Sequence, residues 1–184
     1  QKKAEIDDPL PNEIYDIGCI GKIIQLLKLP DGTIKALIEA QDKAKIIKYH
    51  RQENYYLVDA EVENKKKLKK TSRIDAMVRR LLSRFESYAR LNRTIPSDAL
   101  SSLSQFTDVK QFANTLASYL ILKISIKQKL LEIESIQKLL DKILVYVENE
   151  IGILEVEKKI KSRVKRQMEK TQREYYLNEQ LKAI

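Results

Sequence analysis

Between Ser135 and Ile184 the chain holds no proline and a single glycine, Gly152, and this run limits the possible folds more than any other feature. Ser135 is a suitable N-cap, and Ile136, Leu139, Leu140, Ile143, Leu144, Val147, Ile151 and Leu154 recur at helical spacing after it. The run predicts one helix of roughly 50 residues, about 75 Å long if unbroken. Beyond Ile160 the apolar residues thin to Val164, Met168, Tyr175, Tyr176, Leu177, Leu181 and Ile184. A helix that loses its stripe halfway is packed at one end and leaves its own domain at the other. Gly152 costs this helix roughly 1 kcal/mol relative to alanine, and marks a bend, a close contact or an open surface position. No capping signal closes the helix, and the chain opens on Gln1. It is therefore expected to be a piece of a longer polypeptide.

The other glycines all lie before residue 33, so turns and strands are expected early and helices later. After a polar start with Pro9 and Pro11, a first long strand is expected from Ile14. Ile17, Cys19, Ile23, Leu27 and Leu29 take one parity, and Ile20, Ile24 and Leu26 the other. Apolar residues on both faces suit a central or strongly bent strand. Leu29-Pro30-Asp31-Gly32-Thr33 is a hairpin turn, proline presetting φ and glycine supplying the positive φ. The return strand alternates, with Ile34, Ala36, Ile38 and Ala40 on one face. Two more strands are expected, Ala44 to Tyr49 and Tyr55 to Glu63, giving a four-stranded antiparallel meander that is marginal by itself.

From Ser72 the period changes to 3.6, with Ile74, Val78, Leu81, Leu82, Phe85, Tyr88 and Leu91 on one stripe. Pro96 is expected to open a short helix with Leu100 and Leu103 inward. Asp108-x-x-Gln111 and Ser125-x-x-Gln128 read as capping boxes for two further helices. The fold class is α+β: a small antiparallel β-subdomain (1–64), a helical subdomain (65–154) and a connecting helix (155–184).

Little catalytic chemistry is available. Gly21-Lys22 is followed by Ile23, so no phosphate-binding G-x-x-x-x-G-K-[ST] loop is present. One histidine, His50, and one cysteine, Cys19, cannot build a zinc site or a disulfide, and no metal is expected. A nucleophilic Cys19–His50 pair is the weaker reading; Cys19 reads as a small buried hydrophobe in an apolar strand. No apolar run approaches 18 residues, so no membrane span and no membrane partner are expected. The net charge of +9 raises an anionic partner. The cluster from Lys158 through Arg173 is interleaved with Glu155, Glu157, Glu169 and Glu174, as on a solvated helix face. Lys65, Lys66, Lys67, Lys69, Lys70 and Arg73 lack compensating acids and form a candidate basic patch, read as a solvated linker or a weak nucleic-acid contact.

The block Gln172-Arg173-Glu174-Tyr175-Tyr176-Leu177, followed by Glu179-Gln180, resembles the helix leading into the ATPase module of the Lon family of ATP-dependent proteases. The resemblance runs through the chain. Lys28-Leu29-Pro30-Asp31-Gly32-Thr33-Ile34-Lys35 is similar to the family's N-terminal hairpin. Glu86, Tyr88, Leu91, Asn92 and Ile95-Pro96 follow in the family's order, then Val156-Glu157-Lys158 and Arg163-Val164-Lys165. Two positions depart from the pattern: Ala40, where the family commonly has glycine, and Lys43, where it commonly has arginine.

The resemblance implies that the β-subdomain is incomplete, the family's opening strands preceding Gln1. It implies a parent that is a homohexameric AAA+ serine protease of the cytoplasm, or of the mitochondrial matrix in a eukaryote. ATP, magnesium and the Ser–Lys dyad would lie beyond Ile184, leaving this piece without cofactor or catalytic group. The piece would recruit unfolded or damaged protein and serve assembly, with Tyr175, Tyr176 and Leu177 as candidate assembly or substrate contacts. The competing readings are a basic nucleic-acid-binding module using Lys65 to Arg73, and a structural spacer that sets ring geometry.

Overall fold

A computed structural model describes residues 1–3, 5–51, 55–63 and 71–182. Its elements are three antiparallel strands, β1 (Ile17–Lys28), β2 (Ile34–Arg51) and β3 (Tyr56–Val62), and then helices α1 (Ser72–Leu91), α2 (Ala99–Ser104), α3 (Val109–Ser118), α4 (Ile124–Glu132) and α5 (Ile136–Lys182). They form two compact units. One comprises Gln1–Lys69 with Lys123–Ile133, and so contains α4; the other comprises Lys70–Leu122 with Glu134–Ile184.

In the first unit the sheet order is β1-β2-β3. The expected second and third strands are one continuous strand of 18 residues. No glycine or proline interrupts it, and the apparent breaks in alternation are bulges. Gly21 pairs with Ala40 and Ile20 with Asp42, which leaves Gln41 as an extra residue; Ile46 pairs with Ala60 and Lys48 with Asp59, which leaves Ile47 extra. On β1, Ile24 is extra between the Ile23–Ile38 and Gln25–Leu37 pairs. The mixed parity of β1 therefore reflects a bulged edge strand among the described residues rather than a central one. The turn forms as its residues dictate. Gly32 sits at φ 85°, Leu29 N–H donates to the Thr33 carbonyl at 2.8 Å, and Thr33 N–H donates to Asp31 Oδ1 at 2.9 Å. That last bond holds the Asp31 carboxyl below its ordinary pKa.

Helix α4 is fastened to this sheet. Gln128 Nε2 donates to the Ile17 carbonyl at 2.8 Å, and Lys43 Nζ donates to the Leu131 carbonyl at 3.2 Å. Ser125 lies inside the helix, whose N-cap is Lys123 with no side-chain capping bond. The expected capping box fails because Gln128 is spent on strand β1 and Glu132 instead.

The second unit has its core between α1, α3 and α5. Leu81, Phe85 and Tyr88 of α1, Phe112 and Leu116 of α3, and Leu140, Ile143 and Val147 of α5 are all essentially inaccessible. Thr71 caps α1 through the Ile74 N–H, and Asp108 caps α3 through the Lys110 N–H. Helix α2 starts at Ala99 with Asp98 as its N-cap, so Pro96, expected as its first residue, lies three residues ahead of it. Tyr88 is held at both ends of its hydroxyl: it accepts from Asn92 Nδ2 at 3.0 Å and donates to the Tyr119 carbonyl at 3.4 Å. Arg84 grips Glu148 with two bonds of 2.7 and 2.6 Å, pinning α1 to α5.

Helix α5 runs 47 residues without a break, as its sequence predicts. Ser135 accepts the Leu139 N–H through its carbonyl. Nothing lies within 4 Å of a Cβ built on Gly152, so this glycine is an open surface position. Ile151 is the last buried residue, and every side chain over 155–182 is exposed, about 40 Å of helix.

Candidate contact surfaces

The sheet carries the largest set of exposed apolar side chains. On the hairpin half, the pairs Leu26–Ala36 and Ile23–Ile38 place four apolar residues on one face, continued by Ile34, while Leu27 and Leu37 project from the other. Ile23, Leu26, Ile34, Leu37 and Ile38 are each close to 60% exposed. Soluble surfaces scatter such residues singly; a contiguous set signals a contact. The sequence showed apolar residues on both faces of the first strand, but the pairing that gathers them follows from the bulges, which alternation does not reveal.

Glycine is required at one point on this surface. A Cβ at Gly21 would lie 2.5 Å from Ile38 Cγ2, so the apolar face closes over Gly21. Lower on the sheet, Tyr49 and Tyr56 meet edge to face with ring centroids 5.8 Å apart. Burial, then Asp16 and Tyr56, push the Tyr49 phenol above its ordinary pKa.

The second surface is the distal half of α5. Ile153, Val156, Ile160, Val164 and Met168 follow one another at spacings of three and four, all about half exposed. Ile153, Val156 and Ile160 lie on a different side of the helix from the buried set Ile136 to Ile151, and Val164 and Met168 drift back towards it. The candidate contacts Tyr175, Tyr176 and Leu177 are 69%, 64% and 51% exposed. They are successive residues of one helix, so they point about 100° apart and do not form one patch. Lys165–Glu169 and Lys170–Glu174 lace the same stretch at 3.8 and 3.7 Å.

Of the candidate basic patch, Lys65, Lys66, Lys67, Lys69 and Lys70 lie outside the described residues, and Arg73 is exposed in the first turn of α1. Cys19 is exposed, not buried, because it sits on the edge strand β1. It faces Lys43 across the ladder, whereas His50 lies seven residues further along β2, about 23 Å away at strand rise. His50 pairs instead with Asp59 Oδ2 at 2.8 Å. The structure therefore does not bring the two nucleophilic candidates together. Among the described residues no cluster of three histidines, cysteines or carboxylates converges on a metal position, and no helix is long and apolar enough to cross a membrane.

Comparison with known proteins agrees with this architecture. Residues 1–149 match the profile of the ATP-dependent protease La (LON) substrate-binding domain. Over all 184 residues the chain is 47% identical to Lon protease of Azospirillum brasilense and 48% identical to Lon protease of Brucella suis, covering 23% and 22% of those proteins. The chain thus spans less than a quarter of these relatives. The fold resembles the N-terminal domain of the Mycobacterium avium complex Lon protease, with a TM-score of 0.62 at 21% identity over 76% of this chain and 74% of that one. It also resembles a Lon N-terminal domain protein from Xanthomonas campestris, with a TM-score of 0.52 at 13% identity over 74% and 71% of the two chains. A sheet unit joined to a helical unit that extends into one long helix is thus a shared architecture, and the chain belongs to the ATP-dependent protease La (LON) substrate-binding domain family.

Proposed function

We propose that this chain is the client-recruiting region of a Lon-type ATP-dependent serine protease, and that it carries out no bond chemistry of its own. The observation that carries the proposal is the match of residues 1–149 to a substrate-binding domain. The physical support is the exposed apolar surface around Ile23, Leu26 and Ile38. Unfolded or damaged proteins expose apolar segments that native proteins bury, and such a surface meets them by the same desolvation that builds a core. The labour divides along the chain. Residues 1–64 engage the client, 65–154 form the helical subdomain, and 155–184 lead towards the ATPase module. ATP, magnesium and the catalytic dyad act in the parent beyond residue 184. The parent works as a hexamer in the cytoplasm, and the exposed distal half of α5, Tyr175 and Tyr176 included, serves its assembly.

The test replaces Leu26 and Ile38 by serine together. Both side chains are solvent-facing, so the fold should persist, judged by an unchanged circular dichroism spectrum. Affinity for a permanently unfolded, carboxymethylated protein should fall about tenfold, as expected for losing two aliphatic contacts. Wild-type affinity in the folded double variant would remove the sheet from the binding surface.

A further inference from the structure

We propose that the stripe Ile153, Val156, Ile160, Val164 and Met168 of α5 docks an acidic amphipathic helix of a partner protein. Each of these side chains is about half exposed. They recur every three or four residues over roughly four turns, about 23 Å of helix. Beside them runs a shallow groove, with Ile160, Val164 and Met168 along one wall and Lys161 and Lys165 along the other. Glu169 and Gln172 close its far end, and Glu169 is tied to Lys165 at 3.8 Å. A groove between rows of side chains is what the ridge of a second helix packs into. Isoleucine and valine suit such a seam, and methionine adapts to what it meets. The surface shares no residue with the sheet proposed to meet clients, and it ends before Tyr175 and Tyr176.

The charge around the stripe decides what kind of helix fits. Lys158, Lys159, Lys161, Arg163, Lys165 and Arg166 fall within nine residues, and no acid stands between Glu157 and Glu169. At about 100° per residue they divide between the two sides of the stripe. Lys158, Lys161 and Lys165 take one side, and Lys159, Arg163 and Arg166 the other. Of the six, Lys165 alone pairs with a carboxylate among the described residues. The other five border the seam with no ion pair among those residues. Charges flanking the seam of a helix pair choose the partner, so the matching helix carries glutamate or aspartate there. Exposed ion pairs add little affinity, so the stripe supplies the attraction and the cations the choice.

Two other occupants fit less well. A second copy of this chain would bring the same charges with it. The basic run is centred on Ser162 and the stripe on Ile160 and Lys161, so parallel and antiparallel pairs alike set cations against cations. An anionic membrane surface would answer the charge but not the seam. Helices that lie in that interface bury tryptophan, phenylalanine or leucine, and the stripe has none of these. A helix with acidic residues beside its own apolar seam answers both.

The probe is a synthetic amphipathic helix of about 18 residues, with isoleucine and leucine along its seam and glutamate on both flanks; the control peptide has lysine on the flanks. Fluorescence anisotropy with the whole chain should show the glutamate peptide binding at least about tenfold more tightly than the control at about 150 mM salt. Ile160→Ser with Val164→Ser should weaken the glutamate peptide at least about tenfold, and melting should stay within about 1 °C of wild type because both positions are exposed. Lys161→Glu with Arg163→Glu should turn the preference towards the lysine peptide. Leu26→Ser with Ile38→Ser, which tests the client surface, should leave peptide binding unchanged. Equal affinity for the two peptides, or no binding of either, would overturn the proposal. So would a glutamate-peptide affinity that ignores Ile160 and Val164 or is lost with Leu26 and Ile38. Two further results would replace the partner and overturn it as well: sedimentation of the chain as a dimer that the Ile160 and Val164 variant abolishes, or capture of phosphatidylglycerol vesicles that the same variant abolishes.

Discussion

Of the four glycines, Gly21 is the one at which an added methyl group meets a close neighbour. Ile38 Cγ2 lies 2.5 Å from where the alanine Cβ would stand, and a β-branched side chain has little χ1 freedom with which to withdraw. Gly21→Ala should destabilise the sheet unit by about 1–3 kcal/mol, the usual cost of overpacking. Urea unfolding followed at Tyr49 and Tyr56 would measure it; an unchanged midpoint would mean that the hairpin yields. Glu150 offers a second residue-level check. Burial, with Glu157 as the smaller cause, raises its folded-state pKa above the ordinary value of 4.5. A raised carboxyl costs stability at pH values above its folded pKa, where it is ionised in both states. That cost fades as pH falls through the folded value to the unfolded one. Glu150→Gln should therefore melt about 1 °C higher than wild type at pH 7, a small gain because the half-buried group keeps contact with screening solvent, with the difference gone below about pH 4. A gain that persisted at pH 3 would assign the effect to packing instead.

At the scale of elements, α5 makes the sharpest prediction because its two halves differ so plainly. The first half buries six side chains from Ile136 to Ile151; the second buries none. Replacing Tyr175 and Tyr176 by alanine should therefore leave the melting of the chain within about 1 °C of wild type, whereas Leu140→Ala should cost about 2–5 kcal/mol. If the parent assembles through its distal helix, the tyrosine double variant of the full-length enzyme should degrade a folded protein more slowly. Degradation at the wild-type rate would leave these side chains as exposed ends of no consequence. The elements also show where sequence reading stops. Helices α1, α3 and α5 were legible because their stripes coincide with the residues that end up buried, Phe85, Phe112 and Leu140 among them. The long second strand was not legible, since Gln41 and Ile47 are bulges, and a bulge looks like the end of an alternating run. The exposure of Cys19 was hidden for a related reason: an apolar sequence neighbourhood does not tell whether a strand lies at the edge or the centre of its sheet. The attachment of α4 depends on Lys43 and Gln128, 85 positions apart, and no local pattern links them.

For the molecule as a whole, what matters is the nature of the attraction between this chain and the proposed client. The net charge of +9 and the lysine-rich segment 65–70 leave a charged contact as the rival to an apolar one. The two differ in how they respond to salt. Neutralising phosphates or other dense negative charge releases counterions, so affinity falls steeply as salt rises, by a factor of about 1000 or more for six contacts between 50 and 200 mM. Apolar burial is unaffected or slightly strengthened over the same range. The decisive measurement is the dissociation constant of the chain for a carboxymethylated, permanently unfolded protein at 50, 200 and 500 mM salt. The apolar account predicts values that agree within about threefold across the series. A constant that weakens more than a hundredfold between the first two salt concentrations would contradict it and assign the contact to charge.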